Sequence, residues 1–138
     1  MKKNAEIIWN KEMSFDAKID DHTITIDAAP EVGGNNIGPR PKPLLLAGLG
    51  GCTGMDVISI LKKMKIEPEE FKIEIESHMT DEHPKYYDKI HLIYIFKGKE
   101  LNESKLKKAV SLSQEKYCGV NKLLSFGAEI TFEIVIEE

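Results

Sequence analysis

The stretch LLAGLGGCTGMD, residues 45–56, places Cys52 inside a run of glycine, alanine and leucine. Its glycines are dense, because four of them fall between Gly48 and Gly54. Each glycine inside a helix costs roughly 0.5–1 kcal/mol relative to alanine. A chain tolerates this cost where a side chain would collide with another backbone or with a ligand. The stretch therefore predicts a close approach around Cys52, which is either an inert core residue or a nucleophile.

The apolar residues in and after this stretch recur with helical spacing and predict one long helix over Pro43–Met64. Proline suits a first helical turn, and Lys62 and Lys63 complement the negative end of the helix dipole. The first half of the helix is apolar almost all round, so we expect that half to be buried. Asp56 follows Cys52 by four residues on the same helical face, and we interpret it as a structural acid.

Short apolar runs and alternation of apolar with polar residues predict strands on both sides of this helix. The predicted strands cover Ala5–Trp9, Met13–Asp20, Thr23–Asp27, Phe71–Met79, Lys89–Phe96 and Ala128–Ile136. A second helix is predicted from Asn102 or Ser104 to Glu115, and a short helical piece over Asn121–Leu124. The order β-β-β-α-β-β-α-β indicates an α+β fold with antiparallel sheets, in one domain over residues 1–138.

The segment Ala28–Lys42 is predicted to be a loop, because prolines and glycines are frequent along it. That density of residues that break helices and strands excludes regular structure. Loops of this length in a compact domain are often functional. Two cations, Arg40 and Lys42, end the loop just ahead of the long helix.

Composition and charge exclude several classes of function. The 138 residues are 41% hydrophobic and 30% charged with a net charge of −4, as is typical of a globular chain. Arg40 is the only arginine, and no basic face is present for nucleic acid. No apolar run approaches the ~20 residues of a membrane span, and the N-terminus lacks the apolar segment of a signal peptide. We therefore expect a cytoplasmic protein that contacts no membrane.

The second cysteine, Cys118, lies between Tyr117 and Gly119 at a predicted break after the second helix. Gly119 suits the left-handed cap of a helix end. A cysteine at such a break is expected to be more mobile and more accessible than one inside a helix. A reducing cytoplasm rarely holds a permanent disulfide. Three interpretations of Cys52 and Cys118 therefore stay open: buried small hydrophobes, an accidental pair, or a nucleophile with a resolving partner.

The histidines do not suggest a metal centre. None of them has metal-ligand spacing with a cysteine or an acid on a helix, and the chain contains no C-x-x-C motif. We therefore expect neither a metal site nor a cofactor. The histidines are His22, His78, His83 and His91.

Two motifs resemble those of a known family. Pro43–Val57 resembles the cysteine signature of the OsmC/Ohr family, the osmotically inducible and organic hydroperoxide resistance proteins, and Glu115–Val120 resembles its second signature. The resemblance implies a thiol-dependent peroxidase that reduces organic hydroperoxides or hydrogen peroxide in oxidative stress defence. It implies that Cys52 is the peroxidatic thiol and Cys118 the resolving thiol. It also implies an intertwined homodimer with long central helices, active sites at the interface and an external dithiol reductant.

The resemblance is incomplete at the groups that activate the first thiolate. Hydroperoxide-resistance members hold this thiolate with an arginine from the N-terminal strands, which is itself held by a glutamate ten residues before the cysteine. Here Lys42 occupies the glutamate position, and no arginine precedes Arg40. These two cations are therefore the candidates for stabilising a thiolate at Cys52. The alternative function is a non-catalytic OsmC-like protein that binds a small molecule or senses redox state.

Overall fold

The alternating residues near the N-terminus form a three-stranded antiparallel sheet in the computed structural model, which describes residues 2–138. Its strands, in spatial order, are β1 (Ala5–Trp9), β2 (Phe15–Ile19) and β3 (His22–Ile26). The three predicted strands are confirmed, each within two residues of its predicted ends. This sheet belongs to a compact unit that ends at Leu45, and residues 46–138 form a second compact unit.

The segment that follows β3 is organised around the buried carboxylate of Asp27. Its two oxygens accept hydrogen bonds from the backbone N–H groups of Ala28 (2.7 Å), Asn35 (2.9 Å) and Ile37 (3.2 Å). Burial acts to raise the pKa of Asp27, but these three donors and the positive charge of Arg40 outweigh it and hold that pKa below its usual value. The segment is thus a fixed loop built on one ionised side chain.

The loop is less irregular than the sequence predicted. It contains one 3-10 turn, Pro30–Val32, and it ends earlier than expected because the long helix already begins at Pro41. The prediction that Ala28–Lys42 lacks regular structure is therefore wrong at both places. Gly38 lies where two backbone segments approach closely, because a Cβ at this position would overlap the carbonyl oxygen of Thr25.

The long helix α1 (Pro41–Lys63) is confirmed, but the chain itself does not provide the burial expected for its first half. The buried residues of α1 recur every four positions along a single stripe. Leu45 is 50% exposed, and Gly48 and Gly51 are exposed as well. The apolar composition of this half therefore exceeds what the chain itself covers. The buried residues are Leu49, Thr53, Val57 and Leu61.

The second sheet lies in the unit 46–138 and has the order β4 (Glu70–Met79), β5 (Tyr87–Lys97) and β6 (Glu129–Glu137). β4 and β5 pair antiparallel as predicted, whereas β5 and β6 pair parallel. The expectation of purely antiparallel sheets is therefore wrong at β6. The reason is the connection between them, because a helical crossover returns the chain to the end of the sheet where β5 began.

That crossover consists of α2 (Glu103–Leu112), a π-helical turn (Ser113–Tyr117) and α3 (Gly119–Leu124). Asn102 caps α2, since its side-chain oxygen accepts the backbone N–H of Lys105 at 3.2 Å. The predicted second helix therefore starts correctly, but regular α-helix ends at Leu112. Such π-helical turns are rare and frequently accompany functional sites.

One hydrophobic core joins α1, β5 and α2 in the unit 46–138. Alternate residues of β5 point into it, and Leu92, Tyr94 and Phe96 are fully buried there. Each large side chain buried in this way contributes about 1.5–3 kcal/mol. Cys118 belongs to the same cluster, and Cys52 packs against it. Both cysteines thus lie at the boundary between the apolar core and the crossover.

The composition of α1 also meets the criteria for a membrane-spanning helix. Over Pro43–Lys63 the mean hydropathy of an 18-residue window is 1.8, with few charged side chains. The expectation that no apolar run approaches that length is therefore wrong by this measure. Core helices of soluble proteins share this length and composition. In this chain the buried stripe of α1 is part of the hydrophobic core.

Candidate thiol site

The fold brings Cys52 and Cys118 together with the carboxylate of Asp56. The two sulfur atoms and one carboxylate oxygen all lie within 4.8 Å of one another. Both cysteines are free thiols, and they differ in exposure: Cys52 is half-buried, whereas Cys118 is only 4% exposed. The expectation that Cys118 is the accessible thiol is therefore wrong. The crossover buries it against the core.

Helix geometry places Cys52 and Asp56 side by side, because residues four apart share one face of α1. Cys118 comes from the junction between the π-helical turn and α3, where its own backbone is extended. Its N–H donates to the carbonyl of Ser113 at 2.8 Å, and its sulfur accepts the N–H of Asn121 at 3.3 Å. Cys118 is therefore the N-cap residue of α3.

Gly119 does not play the part that its sequence position suggested. It is the first residue of α3, and within residues 2–138 only Gly33 among the glycines has a positive φ. The predicted left-handed cap at Gly119 is therefore wrong. The helix break is produced instead by the extended backbone of Cys118, which separates the π-helical turn from α3.

A buried chain of hydroxyl groups ends on the Asp56 carboxylate. Ser113 donates to Oδ2 of Asp56 at 2.9 Å, which uses the only proton of the Ser113 hydroxyl. Thr53 must then donate to Ser113 (2.7 Å), and Tyr94 must donate to Thr53 (2.7 Å). The direction of every hydroxyl proton in this chain is thereby fixed. These hydrogen-bonded hydroxyl groups join α1 to β5 and to the π-helical turn.

The chain continues through amides to the second thiol. Gln114 donates from Nε2 to the Tyr94 hydroxyl at 2.6 Å, and the Asn121 side chain donates to Oε1 of Gln114. The backbone N–H of Asn121 is also the donor to the Cys118 sulfur. The hydrogen bonds thus connect the surroundings of both thiols in one network.

The local electrostatics keep Cys118 protonated at neutral pH. Burial, the hydrogen bond with Cys52 and the negative charges of Cys52 and Asp56 raise the pKa of Cys118 to about 11, against the lowering effect of the Asn121 N–H. Burial likewise raises the pKa of Tyr94. In the metal-free protein at neutral pH, Cys118 is therefore a thiol and a hydrogen-bond donor.

Most members of this network were missed from the sequence. Asp56 was predicted to be a structural acid, and its hydrogen bond to Ser113 agrees with that interpretation. Its proximity to both sulfur atoms was not predicted. The other partners lie on β5, the π-helical turn and α3, and no spacing rule relates them to Cys52. They are Tyr94, Ser113, Gln114 and Asn121.

The two cations predicted to stabilise a thiolate have different local settings. Arg40 donates from Nη1 to the carbonyl of Gly38 at 3.0 Å and acts electrostatically on Asp27. Lys42 lies in the first turn of α1 rather than in the loop. Their action on Cys52 stays a prediction.

The family model described as OsmC-like protein matches residues 33–133. The chain belongs to the OsmC-like family. The match includes both cysteines and most of the unit 46–138, together with residues 33–45 of the first unit.

Individual OsmC-like relatives agree over nearly the whole chain. The protein YhfA of Escherichia coli K12 is 30% identical over 134 residues, which are 95% of this chain and 97% of YhfA. The crystal structure of a hypothetical protein from Aquifex aeolicus VF5 has a TM-score of 0.82 at 34% identity and covers 100% of this chain and 99% of its own. These likenesses confirm the predicted α+β OsmC-like fold.

A more distant structure carries a functional name. It is an organic hydroperoxide resistance protein OsmC, called a predicted redox protein, from Legionella pneumophila. Its TM-score is 0.71 at 15% identity, and the match covers 98% of this chain and 97% of that one. At this identity the likeness shows the fold alone.

Removing the Tyr94 hydroxyl tests the buried network. Tyr94→Phe should lower the free energy of unfolding by about 1–3 kcal/mol, because buried groups of Thr53 and Gln114 lose their partner. Urea denaturation measures the effect. The matched control is Tyr86→Phe at an exposed tyrosine, where the change should stay within about 0.5 kcal/mol. Equal effects of the two substitutions would contradict the network.

Alkylation tests the difference between the two thiols. In the reduced native protein at pH 8, iodoacetamide should modify Cys52 before Cys118, as followed by peptide mass spectrometry. Cys118 is buried, and a pKa of about 11 leaves it about 100-fold less thiolate than the ordinary value of 9.0 would. In urea-unfolded protein the two rates should converge. Faster modification of native Cys118 would contradict the burial and charge described above.

Proposed function

We propose that this protein is a thiol-dependent peroxidase that reduces organic hydroperoxides or hydrogen peroxide. The observation that supports it best is the approach of two free thiols to within 4.8 Å, one of them half-buried and reachable. The family gives the coarser conclusion, a redox role. The name of the Legionella structure, a hydroperoxide resistance protein, agrees with the finer one.

The first step of the proposed reaction takes place at Cys52, the more exposed thiol. Its thiolate attacks one oxygen of the peroxide, the O–O bond breaks, and the leaving alkoxide takes a proton to become an alcohol or, from hydrogen peroxide, water. Cys52 is thereby oxidised to a sulfenic acid. The peroxide is reduced by the same two electrons.

The second step joins the two sulfurs. The Cys118 sulfur attacks the sulfenic sulfur, a disulfide forms, and the sulfenic hydroxyl leaves as water with the Cys118 proton. Because a disulfide is about 2.05 Å long, the sulfurs must close by at most about 2.8 Å. We expect Cys118 to make this movement, because its extended backbone separates two helical segments. Its sulfur then loses the hydrogen bond from the Asn121 N–H. A cellular dithiol then restores both thiols by exchange.

The Cys52 thiolate must be stabilised without the arginine–glutamate pair that hydroperoxide-resistance members use for this purpose. The Cys118 thiol is hydrogen-bonded to Cys52 and stays protonated at neutral pH, so its S–H group is a donor to a Cys52 thiolate. Arg40 and Lys42 remain the proposed cationic contributors. No metal and no organic cofactor enters these steps. We place the protein in the cytoplasm, where dithiol reductants are abundant.

We further propose that the chain works as a homodimer that covers the open face of α1. Met55 is 76% exposed and Ile58 is 43% exposed on this face. Beyond the adjacent residues and the nearby backbone of α1 itself, an added Cβ would meet no atom within 4 Å at either Gly48 or Gly51. A second copy of α1 is the apolar, closely fitting partner that such a surface suits.

Peroxide turnover tests the proposed activity. With dithiothreitol, or a lipoylated reductant, the wild type should consume cumene hydroperoxide or hydrogen peroxide continuously. Cys52→Ser should lose turnover, because the attacking sulfur is gone. Cys118→Ser should accumulate a sulfenic acid that dimedone traps, because no resolving thiol remains. Failure of the wild type with every peroxide would refute the enzyme. A disulfide formed without turnover would favour the redox-sensing alternative.

Charge on the open face of α1 tests the homodimer. Met55→Lys should convert a dimer to a monomer in light scattering, because burial of an unpaired ammonium group is costly. The matched control is Leu123→Lys, which adds the same charge at a 70% exposed leucine on α3 and should leave the dimer intact. A wild-type monomer at micromolar concentration would contradict the proposal.

A further inference from the structure

We propose that Cys52, Asp56 and Cys118 bind one zinc ion while both thiols are reduced. Zinc bonds are about 2.3 Å to sulfur and 2.0–2.2 Å to carboxylate oxygen, so ligand atoms of a tetrahedral site lie about 3.6–3.8 Å apart. The three donor atoms here are already within 4.8 Å of one another. Contraction by about 1 Å completes the set without any change of fold.

The donor set selects the metal. Two thiolates are soft ligands that favour zinc over magnesium, calcium or manganese, which prefer oxygen. A single carboxylate is a common additional zinc ligand. The chain supplies three ligands, so the fourth position of a tetrahedral site is left to a non-protein ligand. A water molecule there gives the four-coordinate geometry that zinc prefers.

The ligands are held by hydrogen bonds of the kind that surrounds natural metal sites. Ser113 donates to one oxygen of Asp56, and the N–H of Asn121 donates to the Cys118 sulfur. Ser113 is itself fixed by Thr53. Such outer partners orient ligands and raise affinity. Two of the three ligands are thus oriented before any ion binds.

Charge gives a second reason for a cation at this position. Coordination requires both sulfurs as thiolates, so together with Asp56 the three ligands bring negative charges that repel one another in a partly buried space. A divalent cation replaces this repulsion by attraction, and the thiol protons leave on binding. The sequence did not indicate the site because the search for ligands relied on local spacing, whereas Cys118 reaches Cys52 and Asp56 through the tertiary fold.

Binding of zinc does not depend on peroxidase activity. It requires only reduced thiols, so the site can exist in an enzyme, a sensor or a binding protein of this fold. Zinc binding and peroxide turnover are consequently separate measurements, and the failure of one leaves the other standing.

Cobalt and zinc titrations of the reduced, chelator-treated full chain test the site. Co²⁺ should bind one per chain and produce a sulfur-to-cobalt charge-transfer band that Zn²⁺ abolishes. Cys52→Ser and Cys118→Ser should each weaken zinc binding and reduce the band. Asp56→Asn should keep the band but lower zinc affinity by about 10-fold or more. The matched control is Asp16→Asn, because the Asp16 carboxylate likewise accepts a hydroxyl, that of Thr25, and this variant should bind zinc like the wild type.

Three results would overturn the proposal. The first is a wild-type protein without the charge-transfer band at micromolar Co²⁺. The second is that both serine variants bind zinc with wild-type affinity. The third is wild-type zinc affinity in Asp56→Asn, because the carboxylate would then not be a ligand. If a serine variant lacks the native circular dichroism spectrum, wild-type protein alkylated at Cys52 replaces it, and this protein must also lose the band.

Discussion

The contact between the Thr53, Tyr94 and Ser113 hydroxyls is the interaction on which the thiol site depends. It lies in the fully buried part of the unit 46–138, and both of its hydrogen bonds are 2.7 Å long. Hydroxyls buried among apolar side chains are costly unless they are paired. Their mutual pairing therefore fixes α1, β5 and the π-helical turn at one relative position. Because Cys52 lies on α1 and Cys118 directly follows the π-helical turn, this pairing also sets the positions of the two thiols.

The same network explains why the two cysteines differ. Cys52 lies on a helix with one face open, whereas Cys118 is buried at a helix junction beside a carboxylate. One sulfur is thus accessible and the other is kept protonated. This asymmetry suits a pair in which one thiol attacks and the other follows, whereas a metal ion must displace the Cys118 proton. Both uses draw on the same short distances.

Local patterns predicted the elements well, because alternation and helical spacing reflect which side of an element is buried. The strands of the first sheet, the cap at Asn102 and the helix around Cys52 all follow this rule. The errors have a common cause. The parallel pairing of β6 and the burial of Cys118 depend on contacts between distant parts of the chain, which no local pattern records.

The sequence by itself determined the family, the order of the elements and the two cysteines, because these rest on motifs and on periodic burial along the chain. Tertiary structure alone decided which groups surround the thiols. Asp56 lies next to Cys52 by helix geometry, but only the crossover brings Cys118 and Ser113 to them. The stretch LLAGLGGCTGMD therefore indicated where the first thiol lies, and the fold supplied its chemical environment.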